Sequence, residues 1–344
     1  MNILITADYL NNIRSQAVQH HLSFPGSARS VSWSRWRKQL RQKLSVVLGL
    51  KAWGPITHPA VKIISARRTR AYICYQVQYE TLPGNLARAF LLIPRFGPKK
   101  KPAVLCPHGH VKGGAKGVID PSLALGTAYG HEFAELGAVV LAPYNAGNGI
   151  RDVKSHKEKA VGVLLPRMDG CDLLWRRLNH LGMDLTGLRI FELMAALNIL
   201  ESLDEVAPHK IGAAGLSGGC WLSQVLAALD SRIQAVVLSG YFSTFAQTAW
   251  LNHCICHHPK GIGLVCEMYD IAALIAPRPL YIESGTSDTL YPVEPAYSFT
   301  RKAFQLVGAE SNLHLERYQG GHMFYGKKSI PWLIRQLSGL KEEK

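Results

Sequence analysis

The chain has 344 residues, 47% of them hydrophobic and 18% charged, with a net charge of +15. This is the composition of a globular protein with a sizeable core, and no apolar run reaches the roughly 20 residues needed to cross a bilayer. The positive charge is spread along the chain, with short concentrations at 35–43, 67–70 and 99–101 and no aromatic-interleaved basic stripe. A solvated basic surface is therefore expected, with no nucleic-acid partner and no membrane. A preference for an anionic ligand is the lesser alternative. The N-terminus lacks the basic and apolar stretches of a signal peptide, and seven scattered cysteines fit reduced thiols. Both point to a cytoplasmic protein.

Residues 1–55 read as a mostly helical arm, because Trp33, Trp36, Leu40, Leu44 and Leu48 recur every three or four positions. Packing on the body is its expected role; covering the site mouth or self-association are the alternatives. Residues 56–344 read as one α/β domain. From Ala71 the pattern alternates, with Ala71, Ile73, Tyr75, Val77 and Tyr79 on one face and Gln76, Gln78 and Glu80 on the other. Pro83-Gly84-Asn85 then turns the chain into 87–94, which predicts an antiparallel hairpin. A basic turn at 99–102 leads to a short buried strand at 103–106.

Strands and helices alternate after that. A helix near 131–136 precedes a strand at 138–143. A longer helix covers 185–203, with Ile190, Leu193, Met194, Leu197 and Leu200 as its apolar stripe. Strands follow at 210–214, 233–239 and 279–284, with helices after Ser217, at 270–275 and at 330–337. Such alternation predicts a mainly parallel sheet with helices on both faces.

The strand at 210–214 runs directly into Gly215-Leu216-Ser217-Gly218-Gly219, and a helical pattern follows. A serine on so tight a turn is lifted clear of the sheet with its hydroxyl exposed. Ser217 is the candidate nucleophile. A serine hydroxyl needs a base and a group to orient that base. Asp288 lies in a turn just past the strand at 279–284, where it would orient the base; a plain turn aspartate is the alternative. His322 follows Gly320-Gly321 ahead of the last helix and is the candidate general base and acid. Pro107-His108-Gly109-His110 follows the strand at 103–106. The Gly218 and His110 N–H groups are the candidate oxyanion donors, while a metal-binding pair or a plain turn are the alternatives for the two histidines.

With these elements the chain resembles the α/β-hydrolase superfamily, and within it the dienelactone-hydrolase-like and acetyl-xylan-esterase-like serine esterases. The likeness covers about 60–340 and also includes Leu188-Arg189-Ile190-Phe191-Glu192 and Ala276-Pro277-Arg278-Pro279-Leu280. Dienelactone hydrolases proper usually carry a cysteine nucleophile, so the serine here points to the esterase side. The resemblance implies hydrolysis of a small-molecule carboxylic ester, with an acetyl ester the leading expectation, and no metal or organic cofactor. A serine peptidase of the prolyl-oligopeptidase type shares the triad order, but no long propeller region precedes the catalytic part. A non-catalytic scaffold that binds a ligand is the alternative from another class. One cluster remains: His253-Cys254-Ile255-Cys256-His257-His258, with Cys266 nearby. Its Cys-x-Cys lacks a matching second pair, so spacing alone favours structural thiols over zinc. If that loop borders the site, His257 or His258 helps to form the substrate pocket.

Overall fold

The computed structural model describes residues 30–56, 58–123, 126–148, 151, 170–248 and 253–339. Its strands are β1 (Lys62–Arg68), β2 (Tyr72–Leu82), β3 (Asn85–Pro94), β4 (Lys101–Leu105), β5 (Val139–Pro143), β6 (Val206–Leu216), β7 (Ile233–Ser239), β8 (Leu280–Gly285) and β9 (Leu313–Tyr318). Its helices are α1 (Ser30–Val47), α2 (Ala115–Ile119), α3 (Tyr129–Glu135), α4 (Gly170–His180), α5 (Leu185–Ser202), α6 (Gly218–Leu229), α7 (Phe245–Thr248), α8 (Met268–Ala273), α9 (Ala296–Leu306) and α10 (Ser329–Ser338). Among the described residues, the nine strands join one sheet in the order β1-β2-β3-β5-β4-β6-β7-β8-β9. From β1 to β5 the pairings are antiparallel, and from β5 to β9 they are parallel.

The parallel strands are buried on both sides because helices cover both faces. One layer packs Trp33 of α1, Ile190 of α5, Trp221 of α6, Ile271 of α8 and Phe304 of α9 against one face. Val118 of α2, Phe133 of α3 and Leu333 of α10 cover the other. Strands lined on both faces are mainly apolar, which explains the runs at 103–105 in β4, 139–143 in β5 and 235–238 in β7. The hairpin of β2 and β3 is more subtle than simple alternation predicts. Tyr75, Val77 and Tyr79 face the first layer, but Tyr72 and Cys74 on the opposite side are buried in the second. The start of β2 is therefore covered on both faces, and only its later half is amphipathic.

The expected stripe on α5 is likewise too narrow. Every residue from Leu185 to Leu200 is buried, so the helix is enclosed around its circumference. Part of the wall that closes it is the end of the arm, where Leu48 and the turn at 50–53 pack on α5, while Trp33, Trp36, Leu40 and Leu44 of α1 join Leu48 in the first layer. Arg41 of α1 donates to the carbonyl oxygens of Ala228, 2.8 Å, and Leu274, 3.1 Å. Gly187 is needed where the two elements meet, since a Cβ there would lie 1.8 Å from the Leu48 carbonyl oxygen. Residues 1–29 of the expected arm lie outside the described residues.

Asp184 caps α5, its side chain accepting from the Thr186 N–H at 2.7 Å. It is 2% exposed, and burial, opposed by the hydrogen bonds from Thr186 and Gly187, raises its pKa to about 6. A carboxyl whose folded pKa lies above its unfolded value stabilises most below the unfolded value, near pH 4, and that contribution fades as pH rises through about 6. The penalty at pH 7 is about 3 kcal/mol. Asp184→Asn keeps a cap acceptor without the charge. Urea unfolding of the variant should show a gain over the parent at pH 7 that shrinks toward pH 4. A gain independent of pH would show that the buried charge is not its cause.

Candidate active site

The chain ends of β4, β6, β7, β8 and β9 all open on the same edge of the sheet, because the five strands run parallel. Each sequence-predicted site residue lies just past one of these ends. Ser217 follows β6 with φ 58° and ψ −121°, one of two described non-glycine residues with positive φ. Such a backbone costs about 1–3 kcal/mol and persists only where its surroundings enforce it. Here the Ser217 N–H donates to the Ser239 carbonyl at 2.9 Å, and its carbonyl accepts from Trp221 N–H at 3.1 Å. Strand on one side and helix on the other pin the turn.

Asp288 follows β8 and is 9% exposed. His322 follows β9, and its Nδ1 lies 2.7 Å from Asp288 Oδ2. Against an ionised carboxylate Nδ1 carries the hydrogen, which leaves Nε2 as the free acceptor. The imidazole leans over the end of β7. A Cβ on Gly240 would sit 3.0 Å from His322 Cε1 and 3.0 Å from Leu216 Cδ1, so only glycine lets the ring settle there. Gly240 is the residue after Ser239, whose carbonyl holds the Ser217 N–H. The ring and the serine turn thus share one strand end.

The loop carrying His322 is tied down by groups that the sequence reading passed over. Glu283, in the middle of β8 and 1% exposed, accepts from the Tyr325 N–H at 3.0 Å, the Gly326 N–H at 2.9 Å and the Ser329 hydroxyl. Its burial raises the carboxyl pKa, and the hydrogen bonds from Ser329, Gly326 and Tyr325 offset part of that rise. Ser239 donates to the Met323 carbonyl at 3.1 Å, and Tyr318 to those of Gly321 and Met323 at 2.9 and 2.7 Å. A glutamate inside an otherwise apolar strand is the signal that would have found Glu283.

The segment 107–110 lies directly on the serine turn. A Cβ on Gly109 would be 2.7 Å from the Leu216 carbonyl and 2.9 Å from the Gly218 nitrogen. The segment is rigidly held. Tyr129 donates to the Pro107 carbonyl at 2.8 Å, and the Asn145 side chain donates to the His108 carbonyl at 2.6 Å. His108 Nε2 accepts from the Asn145 N–H at 3.0 Å, which puts its hydrogen on Nδ1, 2.7 Å from the Gly109 carbonyl. Burial drives the His108 pKa down to about 4, in keeping with this neutral tautomer. His110 points elsewhere: its Nε2 lies 3.8 Å from Cys171 Sγ and 3.6 Å from Cys256 Sγ.

Residues 253–258 do border the serine turn. His257 is 1% exposed, and a Cβ on Gly218 would lie 2.5 Å from its Nε2, an atom with no hydrogen-bond partner among the described residues. Its Nδ1 faces His253 Nδ1 at 2.9 Å. Burial first, then the neighbouring His253 and His110, push its pKa well below 6.5. Tyr241 and Tyr291 continue the wall from His257 to His322, with successive ring centroids 4.9, 4.9 and 5.4 Å apart. The backbone carbonyl of His258 accepts from Trp175 Nε1 at 3.2 Å. Cys266 is buried in the first core layer, apart from the cluster suggested by its position in the sequence.

A mainly parallel sheet flanked by helices, with a strained serine between β6 and α6 and an Asp–His pair past β8 and β9, defines the α/β-hydrolase fold. The protein has that fold. It superposes on a protein from Bacteroides fragilis NCTC 9343, provisionally described as an acetyl xylan esterase, with a TM-score of 0.80 at 19% identity, covering 98% of this chain and 96% of that one. A glucuronoyl esterase from Solibacter usitatus gives 0.65 at 14% identity over 93% and 97%. In sequence, the chain is 28% identical over 216 residues to a Bacillus subtilis (strain 168) protein provisionally described as the hydrolase YtaP, spanning 60% of this chain and 67% of that protein. No family model matches the chain. Among the described residues no helix is long and apolar enough to cross a membrane.

Proposed function

We propose that the protein hydrolyses carboxylic esters through an acyl-enzyme on Ser217, with a small acyl group such as acetyl as the preferred leaving acid. The observation that carries this reading is the short Asp288–His322 hydrogen bond beside a serine held in a strained strand-to-helix turn. Ser217 Oγ attacks the ester carbonyl carbon while His322 Nε2 takes the hydroxyl proton. The negative charge moves to the carbonyl oxygen, where the Gly218 and His110 N–H groups donate to it. The imidazolium then passes its proton to the departing alcohol as the C–O bond breaks. Water attacks the acyl-serine in the same way, its proton going to His322, and the acid leaves as Ser217 is regenerated. Throughout, Asp288 holds the ring and stabilises its charged form.

The acetyl and carbohydrate side of the proposal rests on the names borne by the structural neighbours. The seven cysteines, all without disulfides, support a reducing and hence cytoplasmic setting. The experiment is a fluorophosphonate probe followed by peptide mapping, joined to a turnover screen across ester chain lengths, acetylated sugars and peptide amides. Labelling at Ser217 with turnover of short-chain esters and none of amides is expected. Folded protein that neither reacts with the probe nor turns over any ester would overturn the reading.

A further inference from the structure

The side chain of His110 and three thiols from distant parts of the chain converge beside the site. His110 Nε2 and the Sγ atoms of Cys171, Cys254 and Cys256 all lie within 4.8 Å of one another. His110 comes from the loop after β4, Cys171 from the first turn of α4, and the other two from the turn at 254–257. We propose that these four side chains form a tetrahedral Cys3His site for a zinc ion, closed to substrate, that clamps the loop at 107–110 to the turn at 254–257.

The spacing fits that ion. With Zn–S near 2.3 Å and Zn–N near 2.0 Å, a tetrahedron sets sulfur about 3.6 Å from nitrogen. His110 Nε2 stands 3.6 Å from Cys256 Sγ and 3.8 Å from Cys171 Sγ. Each thiol taken alone is within hydrogen-bond reach of the ring, but a single ion between them accounts for the convergence of all four donors on one point. Soft thiolates with one imidazole select zinc over magnesium or calcium. Four protein ligands leave no position for water, so the ion is structural.

The surroundings fit as well. Three thiolates and a divalent ion carry a net charge of −1. Arg189, 3% exposed, places its Nη2 3.0 Å from Cys171 Sγ and also donates to the Ala146 carbonyl at 2.7 Å. Its positive charge balances the site, and a hydrogen bond to a ligating sulfur is the usual supporting contact at such centres. Thr186, next to the α5 cap, donates to the Cys256 carbonyl at 3.0 Å and so fixes the Cys-x-Cys turn.

The zinc proposal stands independently of the ester reading, because its test reads metal rather than turnover. The full chain, purified without chelators, should contain about one zinc per molecule. Treatment with a chelator should release that zinc together with three newly titratable thiols. Cobalt added to the stripped protein should give the intense sulfur-to-metal charge-transfer and red ligand-field bands of a tetrahedral thiolate site. Cys256→Ser and Cys171→Ser should each lose the bound zinc, while Cys266→Ser should retain it. Should a serine variant fail to fold, the chelator and cobalt measurements on the unmodified chain decide the matter alone. Fully reduced protein that takes up neither zinc nor cobalt would overturn the proposal. So would anaerobically prepared protein with two of the three sulfurs in a disulfide.

Discussion

Ser217→Ala is expected to lose ester turnover by about a millionfold in kcat, near the loss seen when the nucleophile of another triad enzyme is removed. The size follows from the proposed mechanism. Without the hydroxyl there is no covalent intermediate, and His322 has no serine proton to take. Only the oxyanion donors and substrate binding remain, and together they leave a small residual rate over water. The fold should survive, since the turn is held through the backbone of Ser217 and by its neighbours. The measurement is kcat on a short-chain ester beside a urea unfolding curve. Turnover within tenfold of the parent, in a variant with unchanged unfolding, would dismiss Ser217 as nucleophile.

Asp288→Asn is the second large effect, expected near 10⁴-fold in kcat. The carboxylate accepts the hydrogen on His322 Nδ1 at 2.7 Å. An amide placed there can instead donate to Nδ1, which moves the ring hydrogen to Nε2 and blocks the acceptor proposed for the Ser217 proton. Asp288 is 9% exposed, so bulk water does little to restore the proper tautomer. Stability should change far less than activity, and KM should move little. A variant that keeps most of its kcat would show that the ring is oriented by something else, with the hydrogen bond a structural tie.

The parts of this molecule legible in the sequence are those where a local pattern suffices. The turn around Ser217 could be read because strand, glycine-rich turn and helix follow one another without a break, and Gly215 is set by Gly219 and Cys220 a few residues on. The contacts that require Gly218 and Gly219, with His257 and Pro107, could not be read. β7 could be read because Ile233–Ser239 carries the apolar run Ala235, Val236, Val237 and Leu238. β1 escaped notice because all seven of its residues are exposed, leaving neither alternation nor an apolar run. β9 was missed because Leu313–Tyr318 carries histidine, glutamate and arginine with irregular burial. The Asp–His pair was found from chain order, which the fold imposes. The thiol cluster was not, because Cys254 and Cys256 find their partners in His110 and Cys171, far back in the chain. No spacing rule connects those four; only the strand order does.

The seating of the stretch from 30 to 53 against α5 and α6 bears on how the protein can be handled. Leu48 meets Gly187 backbone to backbone, and two tryptophans and three leucines of that stretch are interior. A fragment trimmed to begin at β1 would expose a greasy flank of α5 and invite clumping, even with the chemical groups intact. Any shortened version for crystallisation or engineering should therefore keep the chain from Ser30 onward.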